Sequence, residues 1–186
     1  MPSRLVLIVL ATILGLWTLG AYNRLVRLRN SMRTAFAPLA SQLRQRHAVA
    51  LTLAEVSRTR ITEPQDEALI EATLTSASQA GRASDNVQQR PLRGDVLQQL
   101  AIAEEVLVAA LDELGHALQD LTSGIGPDPV VSDLLRQRDA LQEQIAFSRL
   151  VYNQSADEYN RAVALFPTTL VAGLFGFHAA PEFPPI

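Results

Sequence analysis

"LVLIVLATILGLWTLGA", Leu5 to Ala21, is free of charge and runs straight into a helical pattern, and that continuity constrains the fold more than any other feature. Seventeen apolar residues lie at the short end of what spans a hydrocarbon core about 30 Å thick. A cleaved signal peptide is the rival reading, with Thr18 and Gly20 as small residues before a cut. The run exceeds the usual apolar length of a signal, and the helix continues past it, so residues 5–21 are expected to be a transmembrane anchor. Residues 1–4 form a short tip before it.

Charge sets the expected orientation. Arg4 precedes the run, while Arg24, Arg27, Arg29 and Arg33 follow it. The positive-inside bias therefore places the C-terminal domain in the cytoplasm. At 100° per residue the four arginines do not share a stripe, so they read as headgroup anchors around the helix at the membrane interface. The chain has no lysine, and the imbalance is local. From Tyr22 to Arg60 eight arginines face the single acid Glu55, whereas from Ile61 onward seven arginines face eighteen acids. A basic segment beside a membrane and an acidic remainder argue against nucleic acid as a partner. With no cysteine, disulfides and thiolate metal sites are excluded.

Beyond the span, Leu25, Leu28, Met32, Phe36, Leu39 and Leu43 recur at steps of three and four. This predicts a first helix over about 22–60, with Pro38 as a point where it could kink. Thr62 to Gln65, "TEPQ", has the form of a capping box opening a second helix over 63–80. Arg82 to Gly94 is polar and reads as a loop, and Asp95, with Gln98 three residues on, reads as the N-cap of the next helix. Arg93-Gly94-Asp95 also spells an adhesion tripeptide, which three residues spell often by chance. A third helix over 95–122 carries Leu97, Leu100, Ala103, Leu107, Leu111, Leu114, Leu118 and Leu121 on one face, and a fourth covers 131–166. Four amphipathic helices with short connections bury their stripes most simply as an antiparallel bundle. The predicted fold is therefore all-α: an N-terminal transmembrane helix continuing into an antiparallel four-helix bundle, with a short C-terminal helix over 168–175 and a tail over 178–186.

That short helix comes from "YNRAVALFPTTLVAGLFGF", Tyr159 to Phe177. Leu165–Phe177 is too short to span and contains Pro167. It reads as a helix broken from the fourth by Pro167 and folded back on the bundle. Phe166, Leu170, Phe175 and Phe177 are expected to cap the core, and Gly173 and Gly176 to permit close approach or a turn. So apolar a segment could instead contact a partner or the bilayer surface. Each tyrosine is followed by asparagine: Tyr22-Asn23, Tyr152-Asn153 and Tyr159-Asn160. Tyr152 and Tyr159 share a helix face, and their phenols need partners, expected from the adjacent asparagines or from arginines on a facing helix.

"AYNRLVRLRNSMRTAFAPLASQLRQRH" (Ala21–His47) and "RLVYNQSADEYNRAVALFPTTLVAGLFGF" (Arg149–Phe177) resemble the two ends of the LemA family. That resemblance implies a bacterial inner-membrane protein with one N-terminal span and a helical bundle; magnetosome-associated proteins are among the relatives. It marks Tyr22, Asn23, Arg29, Asn30, Tyr152, Asn153, Tyr159, Asn160, Phe166, Pro167, Phe175, Gly176 and Phe177 as shared structural positions. The middle departs from the family pattern: Ala48, Ala50, Leu51 and Thr52 replace an acidic residue and an Ile-Pro-Asn-Leu turn, and Gln142 stands where an acid is typical.

Chemistry is sparse. Glu113 and His116 have the Glu-x-x-His spacing of di-iron bundles, but neither His47 nor His178 completes a second such motif, so no metal is expected. Glu104-Glu105 and Asp157-Glu158 read as solvated helix faces. There is no phosphate loop, nucleophile elbow or zinc-protease motif. The sequence leads to a non-enzymatic, membrane-anchored interaction or scaffold protein with no cofactor and no small-molecule substrate. Its expected partners are the lipid bilayer and an unidentified protein. The other function considered is membrane organisation, with the arginine-rich first helix bound to anionic lipid.

Overall fold

The computed structural model describes residues 2–60, 64–89, 93–125 and 128–186, with side chains left out at 2–3, 64–66 and 121–125. The fold is all-α. Among the described residues five helices follow in order: α1 (Pro2–Arg58), α2 (Pro64–Gln89), α3 (Gly94–Ile125), α4 (Pro129–Ala164) and α5 (Thr168–Phe175). The "TEPQ" cap and Leu121 fall outside what is described.

Helix α1 is a single helix of 57 residues, and Pro38 lies inside it. Pro38 is exposed, so its ring stands on the solvent side. The first part of α1 is long and apolar enough to cross a membrane: an 18-residue window there has a mean hydropathy of 2.2 and none of it is buried by the protein. Beyond Tyr22, α1 is the central helix, packing along α4 on one side and α2 on another, while α2 packs along α3.

Two boundaries differ from the sequence reading. Helix α2 does not fade at Gly81 but runs to Gln89, so most of the expected 82–94 loop is helix. The apolar period persists there: Ala80, Ser84 and Val87 are buried at steps of four and three, enough to hold a polar segment on the bundle. Asp95 is not the N-cap of α3. It lies in the first turn, and both of its carboxylate oxygens accept from Arg93, at 3.0 and 2.7 Å. The cap of α4 is Asp128, whose Oδ1 accepts from the amides of Val130 (2.8 Å) and Val131 (3.2 Å), with Pro129 in the first turn. Arg60 reaches the other oxygen at 2.5 Å and ties the end of α1 to the start of α4.

The C-terminal segment departs most. Among the four residues expected to cap the core, only Phe177 is buried; Phe166, Leu170 and Phe175 are 74%, 64% and 50% exposed. Helix α5 turns Thr168, Val171 and Ala172 inward and leaves its other face open. Gly176, at φ 69°, supplies the left-handed turn that ends it. Gly173 allows no close approach, since nothing lies within 4 Å of where its Cβ would be.

The tail after Gly176 closes the core instead. Phe177, Ala180 and Phe183 are buried and Ile186 partly so, every third residue, the period of a polyproline-like extended chain. This strap runs antiparallel to α4, and Pro181 packs beside Gly94 at the start of α3. Because Phe183 is 1% exposed, Phe183→Ala is expected to cost about 3–5 kcal/mol, the usual range for a buried phenylalanine. Phe175→Ala should cost clearly less. Urea unfolding of the full chain in detergent compares the two; equal losses would contradict the strap as the core's lid.

Candidate functional site

Two sets of side chains give the bundle its character, one on α4 and one shared by α1, α3 and α4. The first binds the strap. Tyr159 donates its hydroxyl to the His178 carbonyl (3.0 Å), and Tyr152 to that of Pro181 (2.9 Å). Each following asparagine holds one strap residue by both backbone groups. Asn160 Nδ2 donates to the Ala180 carbonyl (2.9 Å) while its Oδ1 accepts from the Ala180 amide (2.7 Å). Asn153 does the same with Phe183, at 2.8 Å in both directions. Seven helical residues rise about 10.5 Å. Three residues of nearly extended chain cover the same length. Tyr-Asn repeated at a seven-residue interval on a helix is therefore matched to a strap read every third residue.

The phenols thus meet the strap's backbone, as the asparagines do, rather than the adjacent asparagines or arginines on a facing helix that the sequence suggested. The remaining pair is different. Tyr22 meets Phe175 in a tilted contact (centroids 5.0 Å) and Phe177 edge to face (5.7 Å), and Asn23 is exposed, as is Asn30. Arg24, Arg27 and Arg33 are exposed around the base of α1, while Arg29 is half-buried, close enough to Tyr159 for its charge to act on the phenol. The Phe166–Pro167 peptide is cis, and Pro167 precedes α5.

The second set was missed. Glu104 is not on a solvated face: it is 0% exposed, and its two oxygens accept from Arg46 Nη2 and meet His47 Nε2, each at 2.6 Å. Arg46 is 1% exposed, and its Nη1 donates to Gln142 Oε1 at 2.9 Å. Gln142 Nε2 donates onward to the Ile186 carbonyl at 3.4 Å, where the strap ends. One buried carboxylate therefore joins α1 to α3, and Gln142 links it to α4 and the tail. His47 is engaged here, whereas Glu113 and His116 are exposed on α3, and Glu105, Asp157 and Glu158 face outward or partly so. The signal was the heptad step: 97, 100, 104, 107, 111 puts Glu104, not Ala103, on the inner stripe of α3, and 39, 43, 46, 50 does the same for Arg46 in α1.

This arrangement is a set of fixed hydrogen bonds rather than an open cleft. Beside it a cavity of about 110 Å³, lined by Arg46, Leu111, Asp112, Arg138 and Gln142 among others, has room for a few water molecules. Arg138 on its wall is held by Asp112, Asp139 and the Leu111 carbonyl.

The LemA family profile matches residues 35–184, most of the bundle together with nearly all of the strap. The chain belongs to the LemA family. The match begins after Tyr22 and the four arginines Arg24, Arg27, Arg29 and Arg33, so the family assignment rests on the bundle and its tail rather than on the apolar run. Gln142 is the neutral partner of Arg46, so among the described residues Glu104 supplies the negative charge bonded to that guanidinium. No characterised protein matches the chain.

Two outcomes follow. Glu104→Ala should cost about 3–5 kcal/mol in unfolding of the full chain, because it strands a buried guanidinium. Arg46→Met combined with Glu104→Leu should recover most of the loss; a double variant as unstable as the single would mean the layer acts through shape alone. Burial, with a smaller contribution from the charge of Glu182, pushes the Tyr152 phenol up to about 12. The unfolded chain ionises near 10 and so releases its proton first, which makes stability fall as pH rises. That contribution is complete below about pH 10 and lost toward pH 12. Absorbance of phenolate during alkaline titration checks it, and Tyr152→Phe should remove the group that titrates toward pH 12 while leaving Tyr159, which burial also raises.

Proposed function

We propose that the protein is a single-pass, membrane-anchored, non-enzymatic interaction module, a scaffold of LemA type facing the cytoplasm. The observation that carries this reading is the continuity of α1. Span and bundle share one helix from Pro2 to Arg58, with no flexible linker between Ala21 and Tyr22. A bundle joined in that way cannot reorient freely at the surface. Tyr22–Arg58 reaches roughly 55 Å from the span at about 1.5 Å per residue, so the other helices are displayed at a set height and angle. The Glu104 carboxylate and the Tyr-Asn pairs of α4 support the same reading, since the α1–α3 contact and the strap engage them.

Membrane organisation is the second reading, and the exposure of Arg24, Arg27 and Arg33 favours some contact with anionic headgroups. As α1 continues the span, those arginines would ring its base rather than lie along the membrane on a flat helix.

The full chain should resist alkaline carbonate extraction and a chain lacking residues 1–21 should not. A reporter fused after Ile186 should be active in the cytoplasm, and strong export of that fusion would reverse the orientation. Photo-crosslinkers on the exposed acids of α3, at Glu105 and Glu113, should capture a distinct protein in native membranes. Capture of lipid alone would favour the second reading.

A further inference from the structure

We infer that α5 and the turn before it, Leu165–Phe175, seat in the membrane interface as a second, non-spanning contact beside the anchor. This rests on the anchoring proposed above, and it names the occupant of a face that the bundle leaves open.

The face is apolar and uncovered. Leu165, Phe166, Leu170 and Leu174 are 58%, 74%, 64% and 77% exposed, and Phe175 is half-exposed. The opposite side of α5, at Thr168, Val171 and Ala172, is already buried on the bundle. A short helix lying on a protein in water needs one apolar face; this one has two. From Ala162 to Pro181 there is no Asp, Glu, Lys or Arg, so no polar rim marks the open face as solvated.

Position selects the bilayer over other occupants. Tyr22, the first residue beyond the apolar run, packs against Phe175 in a tilted ring contact with centroids 5.0 Å apart. Seventeen residues rise about 25 Å, a few ångströms less than the hydrocarbon core, so its boundary falls near Tyr22. The open face of α5 is therefore at the depth where an interfacial helix buries its apolar side, about 5–10 Å into the headgroup boundary. Trp17 and Tyr22 on α1 give the aromatic residues typical of that level, with Arg24 and Arg27 just beyond for the headgroups. With a span and a lateral contact on one rigid body, the bundle would be fixed in tilt and in rotation about α1.

The chain has no cysteine, so single cysteines can be labelled cleanly. Ile13→Cys, Phe147→Cys, Leu170→Cys and Leu174→Cys of the full chain would each carry an environment-sensitive fluorophore. The labelled chains would be placed in vesicles of phosphatidylcholine and phosphatidylglycerol doped with lipids bearing a nitroxide either near the headgroup or near the acyl-chain end. Phe147 is exposed on α4, roughly 27 Å along the helix from Leu165, and serves as the aqueous reference. Labels at 170 and 174 should be quenched mainly by the shallow nitroxide, the label at 13 mainly by the deep one, and the label at 147 by neither. Quenching at 13 with water-exposed labels at 170 and 174 would overturn the proposal and leave the anchor standing. Labels there that are blue-shifted but unquenched would mean a protein surface, such as a second copy, covers the face, and would also overturn it. Absence of quenching at 13 would remove both the anchor and this contact.

Discussion

A carboxylate with no access to water has to be answered by the helices around it, and Glu104 sets the terms for this bundle. Its two oxygens take Arg46 and His47, adjacent residues of α1. Buried ion pairs contribute little net stability against apolar replacements, but separating them is costly, so they penalise wrong alignments strongly. The apolar core divides at this layer. On one side lie Leu25, Met32, Leu39 and Leu43 with Leu97 and Leu100; on the other lie Ala50, Leu53 and Ala54 with Leu107 and Leu111. Sliding α3 along α1 by a turn would place Glu104 among leucines. The leucine stripes alone would tolerate that slide, because they repeat.

The side of the core toward the span raises a second problem. Helices α2 and α3 stop short of the base of α1, where α4 and α1 would otherwise share an open flank. The strap closes it. An extended chain exposes amides and carbonyls that must be paired when buried. Asn153 and Asn160 each pair both groups of one residue, and Tyr152 and Tyr159 take two further carbonyls. Phe183 and Phe177 then fill the space. The strap frees α5 from any role as core lid, and the open face of α5 can serve another surface.

These parts converge on the end of the molecule next to the span. Tyr22 meets α5, Arg29 lies near Tyr159, and the strap begins at Phe177 against Tyr22. A rigid junction of this kind supports the proposed membrane-held module. On the proposed anchoring, the height of the bundle follows from the length of α1, and its facing from contacts that start at Tyr22, the first residue past the apolar run.

The sequence by itself determined the class of fold and the family, since both are written in local periods: the uncharged run, the three-and-four steps of leucine and the tail motif that ends in Phe-Gly-Phe. It also carried the inner positions of Glu104 and Arg46, legible in the heptad step though easily read as surface charge. Tertiary structure alone decided what the tyrosines and asparagines bind, because their partners are backbone atoms of a segment whose own residues have no helical or strand pattern. It likewise decided which of the C-terminal phenylalanines are covered. Phe166, Phe175 and Phe183 have the same chemistry, and only the path of the chain after Gly176 brings Phe183 into the core while leaving Phe166 outside.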